Sequence, residues 1–311
     1  MARLDFTKVR TYSLNRRPSK IKKGDLAKTG KRSASFKRFY DSLPDILAAR
    51  DIKNIRDDII NARKKRRSVI FMLGAHVVKC GLSPLIIDLM KKRVITAIAL
   101  NGAGIIHDAE LAMTGKTSED VGKALKDGSF GMAKETAQFI NGAINKGVNE
   151  GVGIGTAVGE KILAEKLPLS DISILASGIK YNVPVTVHVA VGTDIIHQHP
   201  SCNGAAIGEG SMIDFRNLVY SVIKLNKGGC VMNVGSAIIL PEVFLKALNL
   251  ARNLKHKVNH FTTANFDMIT HYRPTQNVVK RPTEGGGLGY NIIGHHEIMV
   301  PLLYQAILEE I

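Results

Sequence analysis

The sequence has no tryptophan and only three cysteines, and aromatic residues make up just 5% of its 311 positions. Cys80, Cys202 and Cys230 lie far apart and none belongs to a CxxC pair, which argues against a disulfide framework and a cysteine-based zinc site. No stretch reaches the roughly 18 uninterrupted apolar residues of a membrane span, and the first residues lack the apolar centre of a signal peptide. We therefore expect a cytoplasmic protein that does not enter a membrane.

Positive charge is concentrated at the N-terminal end of the chain. The formal net charge is +16, and residues 1–67 hold 21 Lys and Arg against 7 Asp and Glu. Residues 1–35 are basic and have no pattern of apolar positions, which predicts a loosely ordered N-terminal arm. The arm fits an anionic partner, such as nucleic acid or an acidic protein, but also a solvated or oligomer-wrapping extension.

Beyond the arm, continuous apolar runs such as SVIFML (68–73) and VITAIAL (94–100) alternate with amphipathic segments. This alternation is typical of a mostly parallel sheet with helices on both faces. We therefore predict that residues 36–311 form a single Rossmann-like α/β domain. Segment 271–291, which has two prolines and four closely spaced glycines, indicates a long polar loop.

Small and polar residues follow the predicted strands. These residues are Gly74 to His76, Asn101 to Gly104 with His107 and Asp108, Gly192 to Asp194, Gly235 and Ser236, and Ala264 with Asp267. Gly294 to Glu297, of the same kind, precede the last predicted helix. Because the carboxyl ends of parallel strands share one edge, we expect these residues to gather around a nucleotide-type ligand. Tight strand-to-helix turns are the simpler alternative. Gly102-Ala103-Gly104 with His107 in place of a third glycine is an incomplete dinucleotide fingerprint.

Histidines are frequent near the same strand ends. The set consists of His76, His107, His188, His197, His199, His295 and His296. Such histidines suit either proton transfer near neutral pH or metal binding. The HExxH spacing is absent and no compact set of three ligands is visible, so no metal ligand is assigned.

Several motifs between residue 68 and residue 311 together resemble the deoxyhypusine synthase family. They are FMLGAHVVKCGLSPLI, VITAIALNGAGIIHD, VPVTVHVAVGTD, GCVMNVGSAIILPEVF, HFTTANFD and HHEIMVPLLYQAI. That family uses NAD to oxidise spermidine and passes an aminobutyl group, through a lysine imine, to a protein lysine. The resemblance implies NAD as cofactor, a small amine or a protein lysine as substrate, and a homotetramer with sites between subunits.

Position by position, the resemblance also implies roles for individual residues. Cofactor contacts fall at Asn101, Gly102, Ala103, Asp194, Gly235, Ser236, Thr263 and Ala264. Candidate substrate contacts are Asp108, Asp267, His295, His296 and Glu297, and the candidate catalytic residues are Lys280 and His107.

The chain departs from the family at four informative positions. His107 stands where the family has an acidic residue, Pro241 stands where it has a histidine, and Pro282 stands near its essential lysine, two residues from Lys280. The tryptophan that packs on the polyamine has no counterpart. We therefore predict NAD-dependent amine oxidation and aminoalkyl transfer with an altered, non-spermidine substrate site. The alternatives are a histidine- or metal-dependent enzyme on the same fold, and a non-enzymatic nucleic-acid- or protein-binding protein that uses the basic arm.

Overall fold

The computed structural model describes Arg10, Ser13, Arg16 and residues 21–311. In this part of the chain one sheet has six strands, all paired in parallel, in the order β3-β2-β1-β4-β5-β6. The strands are β1 (Val69–Leu73), β2 (Ala97–Asn101), β3 (Val185–His188), β4 (Cys230–Val234), β5 (Thr262–Asp267) and β6 (Leu288–Ile293). This is the strand order of a doubly wound Rossmann-type fold, so the predicted fold class is confirmed.

The helices cover both faces of the sheet. They are α1 (Phe36–Ser42), α2 (Leu47–Lys64), α3 (Ala75–Lys79), α4 (Ser83–Lys91), α5 (Gly102–Thr114), α6 (Val121–Ala124), α7 (Lys134–Asn149), α8 (Ile154–Ala164), α9 (Ile174–Tyr181), α10 (Gly204–Ile223), α11 (Ile239–Asn253), α12 (Tyr272–Pro274) and α13 (His296–Leu308). A π-helical turn, Thr275–Lys280, follows α12.

Strand β1 shows that both faces of the sheet are covered. Alternate side chains of a strand point to opposite faces, and all five residues of β1 are buried. Val69, Phe71 and Leu73 join a core with α2, α4, α5 and α13, whereas Ile70 and Met72 join a second core with α10 and α11.

Two sequence-based boundaries differ from the structure. Ala264, predicted to follow a strand, lies inside β5 (Thr262–Asp267), and Asp267 is the last residue of that strand. The loop predicted at 271–291 is mostly helical and ends in β6. Edge strand β6 is half exposed, so it lacks the continuous apolar run that identified the other strands.

Most of the first 20 residues of the predicted arm lie outside the described residues. Residues 21–35 contain a 3₁₀ turn, Lys23–Asp25. Backbone amides join this segment to α1 and the turn after it, from Lys28 to the Ser42 carbonyl and from Asp45 to the Asp25 carbonyl, both at 3.0 Å. Among the described residues, no helix is long and apolar enough to cross a bilayer.

Gly155, in the first turn of α8, is expected to be essential for packing this helix on β3. A Cβ at Gly155 would lie 1.8 Å from the Val185 carbonyl oxygen, whereas a Cβ at Gly208 of α10 would meet nothing within 4 Å. We expect Gly155→Ala to lower the free energy of unfolding by about 3 kcal/mol or more. Gly208→Ala should raise it by up to about 1 kcal/mol, because alanine is the better helix former. Urea unfolding of both variants checks this, and equal effects would contradict it.

Candidate functional site

A cavity of about 690 Å³, here called the rim pocket, opens beyond the carboxyl ends of β2 and β3. One side of α5, the 116–121 and 130–136 segments and the turn at 193–195 form its wall. Asn101 at the end of β2 starts α5, because its side-chain oxygen accepts from the Gly104 amide at 2.9 Å. The cap fixes the direction in which α5 leaves the sheet, and so places Ala103 and His107 against the cavity.

Asp194 lies where the turn after β3 meets the start of α5. A Cβ at Gly102 would lie 1.9 Å from Asp194 Oδ2, so only glycine lets the carboxylate come this close to the helix. Among the described residues, this buried oxygen has no hydrogen-bond partner. Burial raises the pKa of Asp194 to about 6. The carboxylate therefore lies at the pocket wall with one acceptor oxygen that is unpaired within the described part of the chain and is buried between the turn after β3 and the start of α5.

His107 begins a short hydrogen-bond chain in the pocket. Thr117 Oγ1 donates to Glu110 Oε2 at 2.5 Å and lies 2.6 Å from His107 Nδ1. Because the hydroxyl proton is used on Glu110, His107 Nδ1–H must donate to Thr117, which leaves Nε2 with its lone pair. Thr136 donates to the other oxygen of Glu110 at 3.0 Å. Burial lowers the pKa of His107, although Glu110 opposes this, so the ring is neutral near pH 7 and able to accept a proton.

The charged side chains that line the rim pocket are predominantly acidic. The carboxylates are Glu110, Glu119, Glu135 and Asp194, and the cations are Lys79 and Lys116. One carboxylate oxygen of Glu119 already accepts a hydrogen bond from the Gly131 amide, at 2.8 Å. Such a lining attracts a cationic ligand.

His197 lies behind Asp194. Its Nδ1 accepts from the amides of Gly192 and Asp194, both at 3.1 Å, so the proton is on Nε2. Nε2 is 3.9 Å from Asp194 Oδ2, and burial lowers the pKa of this histidine. His197 therefore fixes the backbone of the turn that carries Asp194.

A second group of the expected residues lies at the ends of β4 and β5. Gly235 has a φ of +68° and faces the His296 ring. His296 Nε2 lies 3.2 Å from the Phe266 carbonyl oxygen, and its buried Nδ1 has no partner among the described residues. Asp267 ends β5, with Oδ1 accepting from the Met268 amide at 2.8 Å. Ser236 donates no side-chain bond to this group, but its Oγ accepts from the Leu240 amide at 3.2 Å.

Helix α3 lies between the two groups. Lys79 lines the rim pocket. The His76 ring lies 5.6 Å from that of His296, and Cys80 Sγ lies 3.9 Å from Glu297 Oε2. His295, which is exposed, is 3.7 Å from the same carboxylate group. Most of the expected residues thus form two neighbouring groups at the carboxyl ends of the strands.

Four expected site residues lie elsewhere. Asp108 is fully buried, and its carboxylate accepts from the Ser173 hydroxyl and the Ile174 and Leu175 amides. It therefore caps α9 and does not reach the pocket. Thr263 and Ala264 are completely buried within β5.

Lys280 is also remote from the rim pocket. A Cβ at Gly289, near the start of β6, would lie 2.1 Å from the carbonyl oxygen of the preceding residue, Val279. Val279 thus lies beside the amino end of β6. Lys280 therefore lies toward the amino ends of the strands, whereas the rim pocket lies beyond their carboxyl ends.

Sequence reasoning missed Glu110, Thr117 and Thr136. Glu110 follows His107 by three residues on a helix, a spacing that places both on one face and could have identified it. The two threonines lie in or beside segment 115–133, where no periodic pattern indicates which side chains face inward. Within the described part of the chain, no three His, Cys, Asp or Glu side chains are placed to hold a metal ion.

The sequence matches no known protein family and no curated protein. Its fold is similar to AgrE in a ternary complex with ornithine and NAD⁺, with 12% identity and a TM-score of 0.55, covering 86% of this chain and 34% of AgrE. A conserved LOR/SDH protein from Methanococcus maripaludis S2 has 16% identity and a TM-score of 0.49, with 93% of this chain and 73% of that one covered. A protein from Entamoeba histolytica assigned as a deoxyhypusine synthase has 12% identity and a TM-score of 0.49, covering 89% and 94%. The chain spans about a third of AgrE, and the similarity establishes a Rossmann-like fold that enzymes also have.

Proposed function

We propose that this chain is an NAD-dependent enzyme of the deoxyhypusine synthase type, which oxidises a small amine in the rim pocket and passes on its aminoalkyl group. The proposal rests mainly on the hydrogen-bond chain of His107, Thr117 and Glu110 beside the unpartnered carboxylate of Asp194. The sequence motifs support the family. AgrE, which has a similar fold, was crystallised with NAD⁺ and ornithine, an amine-bearing molecule.

The sheet edge fits a nicotinamide dinucleotide. Gly102 and Ala103 open α5, where backbone amides suit a phosphate, and the Asp194 carboxylate at the pocket wall suits a ribose hydroxyl. Gly235 presents a turn without a Cβ next to Ser236. We assign NAD binding to these residues together with Asn101. NAD held there would supply the hydride acceptor for oxidation of the amine R–CH₂–NH₂ to the iminium R–CH=NH₂⁺.

The remaining residues of the rim pocket handle the amine and its proton. Glu110, Glu119 and Glu135 attract the ammonium form R–CH₂–NH₃⁺. His107 Nε2 takes one proton from it, because only the neutral amine can lose hydride. The positive charge that appears on His107 is stabilised through Thr117 by Glu110, whose two oxygens both accept hydroxyl bonds.

Aminoalkyl transfer needs a lysine whose amine attacks the iminium and expels ammonia, so that the group is held as an imine until an acceptor amine displaces the lysine. Lys79 and Lys116 line the rim pocket, whereas Lys280 of the same chain does not. A role for Lys280 therefore requires that it come from a neighbouring subunit of the homotetramer that the resemblance implies.

The test combines NAD⁺ with a panel of linear diamines and polyamines. We expect NADH to form with at least one amine, and borohydride to trap an adduct on Lys79, Lys116 or Lys280 that peptide mass spectrometry locates. NADH without an adduct would limit the proposal to amine oxidation. Absence of NAD⁺ binding in calorimetry would overturn it.

The affinity for NAD⁺ is expected to depend on the ionisation of Asp194. Burial raises the pKa of this carboxyl to about 6, so the charged acceptor is present above that pH and is lost as the pH falls through it. NAD⁺ should therefore bind most tightly above about pH 6. Asp194→Asn should weaken binding by about 10-fold and remove this pH dependence, because a single hydrogen bond to a charged group contributes about 1.5–3 kcal/mol. Calorimetric titration across the pH range decides it, and a wild-type pH profile in the variant would refute the assignment.

A further inference from the structure

Four segments that lead into adjacent strands carry many basic residues and no acidic one. Residues 61–68 precede β1, 89–96 precede β2, 223–229 precede β4 and 253–261 precede β5. Their basic residues are Arg63, Lys64, Lys65, Arg66, Arg67, Lys91, Lys92, Arg93, Lys224, Lys227, Lys255 and Lys257. All are exposed except the half-buried Arg67. We call this surface, which lies at the edge of the sheet opposite the rim pocket, the basic edge.

Direct contacts make these segments one continuous surface. Arg63 Nη2 donates to the Lys92 carbonyl at 3.5 Å, joining the segments before β1 and β2. The Lys224 carbonyl accepts from the Ser68 amide at 3.2 Å, which joins β1 to β4. The Lys227 amide donates to the Asn259 carbonyl at 2.9 Å, which joins β4 to β5.

The positive charge of the basic edge is almost unneutralised. Among the residues that the structure describes, only Lys92 of this group forms an ion pair, with Asp88 of α4. Helix carboxyl ends also meet at this edge, and their dipoles favour a cation in each last turn. That effect is local, and it does not explain five consecutive basic residues at 63–67.

The backbone supplies an independent observation. Arg66, Arg93, Lys227 and Lys255 all adopt left-handed conformations, with φ of 52°, 55°, 61° and 66°. Glycine or asparagine occupies such positions after helices at lower cost. Four of the five described Lys and Arg residues with a left-handed backbone thus lie on the basic edge, at turns where local stability favours a different residue, and the fifth is Lys166.

We propose that the basic edge binds the phosphate backbone of a duplex nucleic acid. Four adjacent strands span about 15 Å, so the cations form a strip able to contact several phosphates. The segments expose no Phe, Tyr or Trp on which single-stranded bases would stack. Leu254 is their only exposed large apolar side chain, which is too little to anchor a membrane surface. None of the residues of this surface belongs to the arm at 1–35.

The test removes charge at the left-handed turns, where the loss of charge can be measured without a loss of stability. The variant Arg66→Asn/Arg93→Asn/Lys227→Asn/Lys255→Asn removes four charges at positions that accept asparagine, so its melting temperature should equal or exceed that of wild type. Binding to a fluorescein-labelled, mixed-sequence RNA duplex is followed by fluorescence polarisation at several KCl concentrations. We expect affinity at low salt to fall at least about 30-fold. The slope of log affinity against log [KCl] should fall by about 3.6, as expected for four lost phosphate contacts at about 0.9 each.

A control variant removes the same number of positive charges from a different part of the surface. Lys123→Gln/Lys126→Gln/Lys134→Gln/Lys146→Gln changes four exposed lysines of α6, the turn after it and α7, and should bind the duplex within about threefold of wild type. A DNA duplex of the same sequence shows whether the sugar matters. Equal losses in both variants would refute the proposal, since only net charge would then count. Binding to phosphatidylserine vesicles but not to either duplex would refute it as well.

Discussion

Replacing His107 with glutamine is expected to lower the turnover of amine-dependent NAD⁺ reduction by about 10²–10⁴-fold. Glutamine can still donate to Thr117 Oγ1, which His107 contacts at 2.6 Å, but it cannot take up the proton of the ammonium group. The free energy of unfolding should change by less than about 1 kcal/mol, because the side chain remains large, polar and hydrogen bonded. Steady-state kinetics and thermal unfolding measure the two effects, with His256→Gln, an exposed histidine outside the pocket, as the control.

A second substitution tests whether His107 acts as part of the chain through Thr117. Thr117→Val keeps the shape but removes the hydroxyl that connects His107 to Glu110, so both the tautomer and the stabilisation of the charged ring are lost. We expect an intermediate fall in turnover and a shift of its acid limb to a different pH. Turnover of His107→Gln within threefold of wild type would show that the proton leaves by another route.

Asp108→Ala is expected to lower the free energy of unfolding by about 3–5 kcal/mol. The substitution leaves the Ser173 hydroxyl and the Ile174 and Leu175 amides without their acceptor in a fully buried place. Burial also outweighs these bonds and raises the pKa of Asp108 to about 6. The folded state therefore favours the protonated carboxyl, and the wild type loses stability as the pH rises from about 4 to about 6.

Denaturant unfolding at about pH 5 and about pH 8 tests both parts of this expectation. The difference between the wild type and Asp108→Ala should be larger at the lower pH, because ionisation destabilises only the protein that has the carboxyl. Asp171→Ala, which removes an exposed carboxylate two residues before Ser173, should change stability by less than about 0.5 kcal/mol. A loss below about 1 kcal/mol for Asp108→Ala would mean that α9 does not depend on this cap.

The sequence allowed the sheet to be predicted where burial on both faces produced an unbroken apolar run, as in SVIFML at β1 and VITAIAL at β2. It did not reveal β6, because an edge strand with exposed Leu288 and Ile293 carries no such run. His107 and Asp194 were identified because they follow strand ends. Thr117 and Thr136 were not, since hydrogen bonds across a non-periodic segment leave no pattern. Asp108 illustrates the reverse case, in which a polar residue next to a site serves the fold.

The all-parallel sheet gives the molecule a polarity along its strands. Helix amino ends and the acidic rim pocket meet at one edge, while helix carboxyl ends and the basic edge lie at the other. At each edge the side-chain charge has the sign opposite to that of the helix ends. The separated side-chain charges give the molecule a dipole moment parallel to the strands. The electric field of a polyanion would therefore turn the basic edge toward the polymer before contact. The bound protein would then have its rim pocket on the side away from the polymer. Small amines could then enter and leave an immobilised protein without displacing the polymer that holds it.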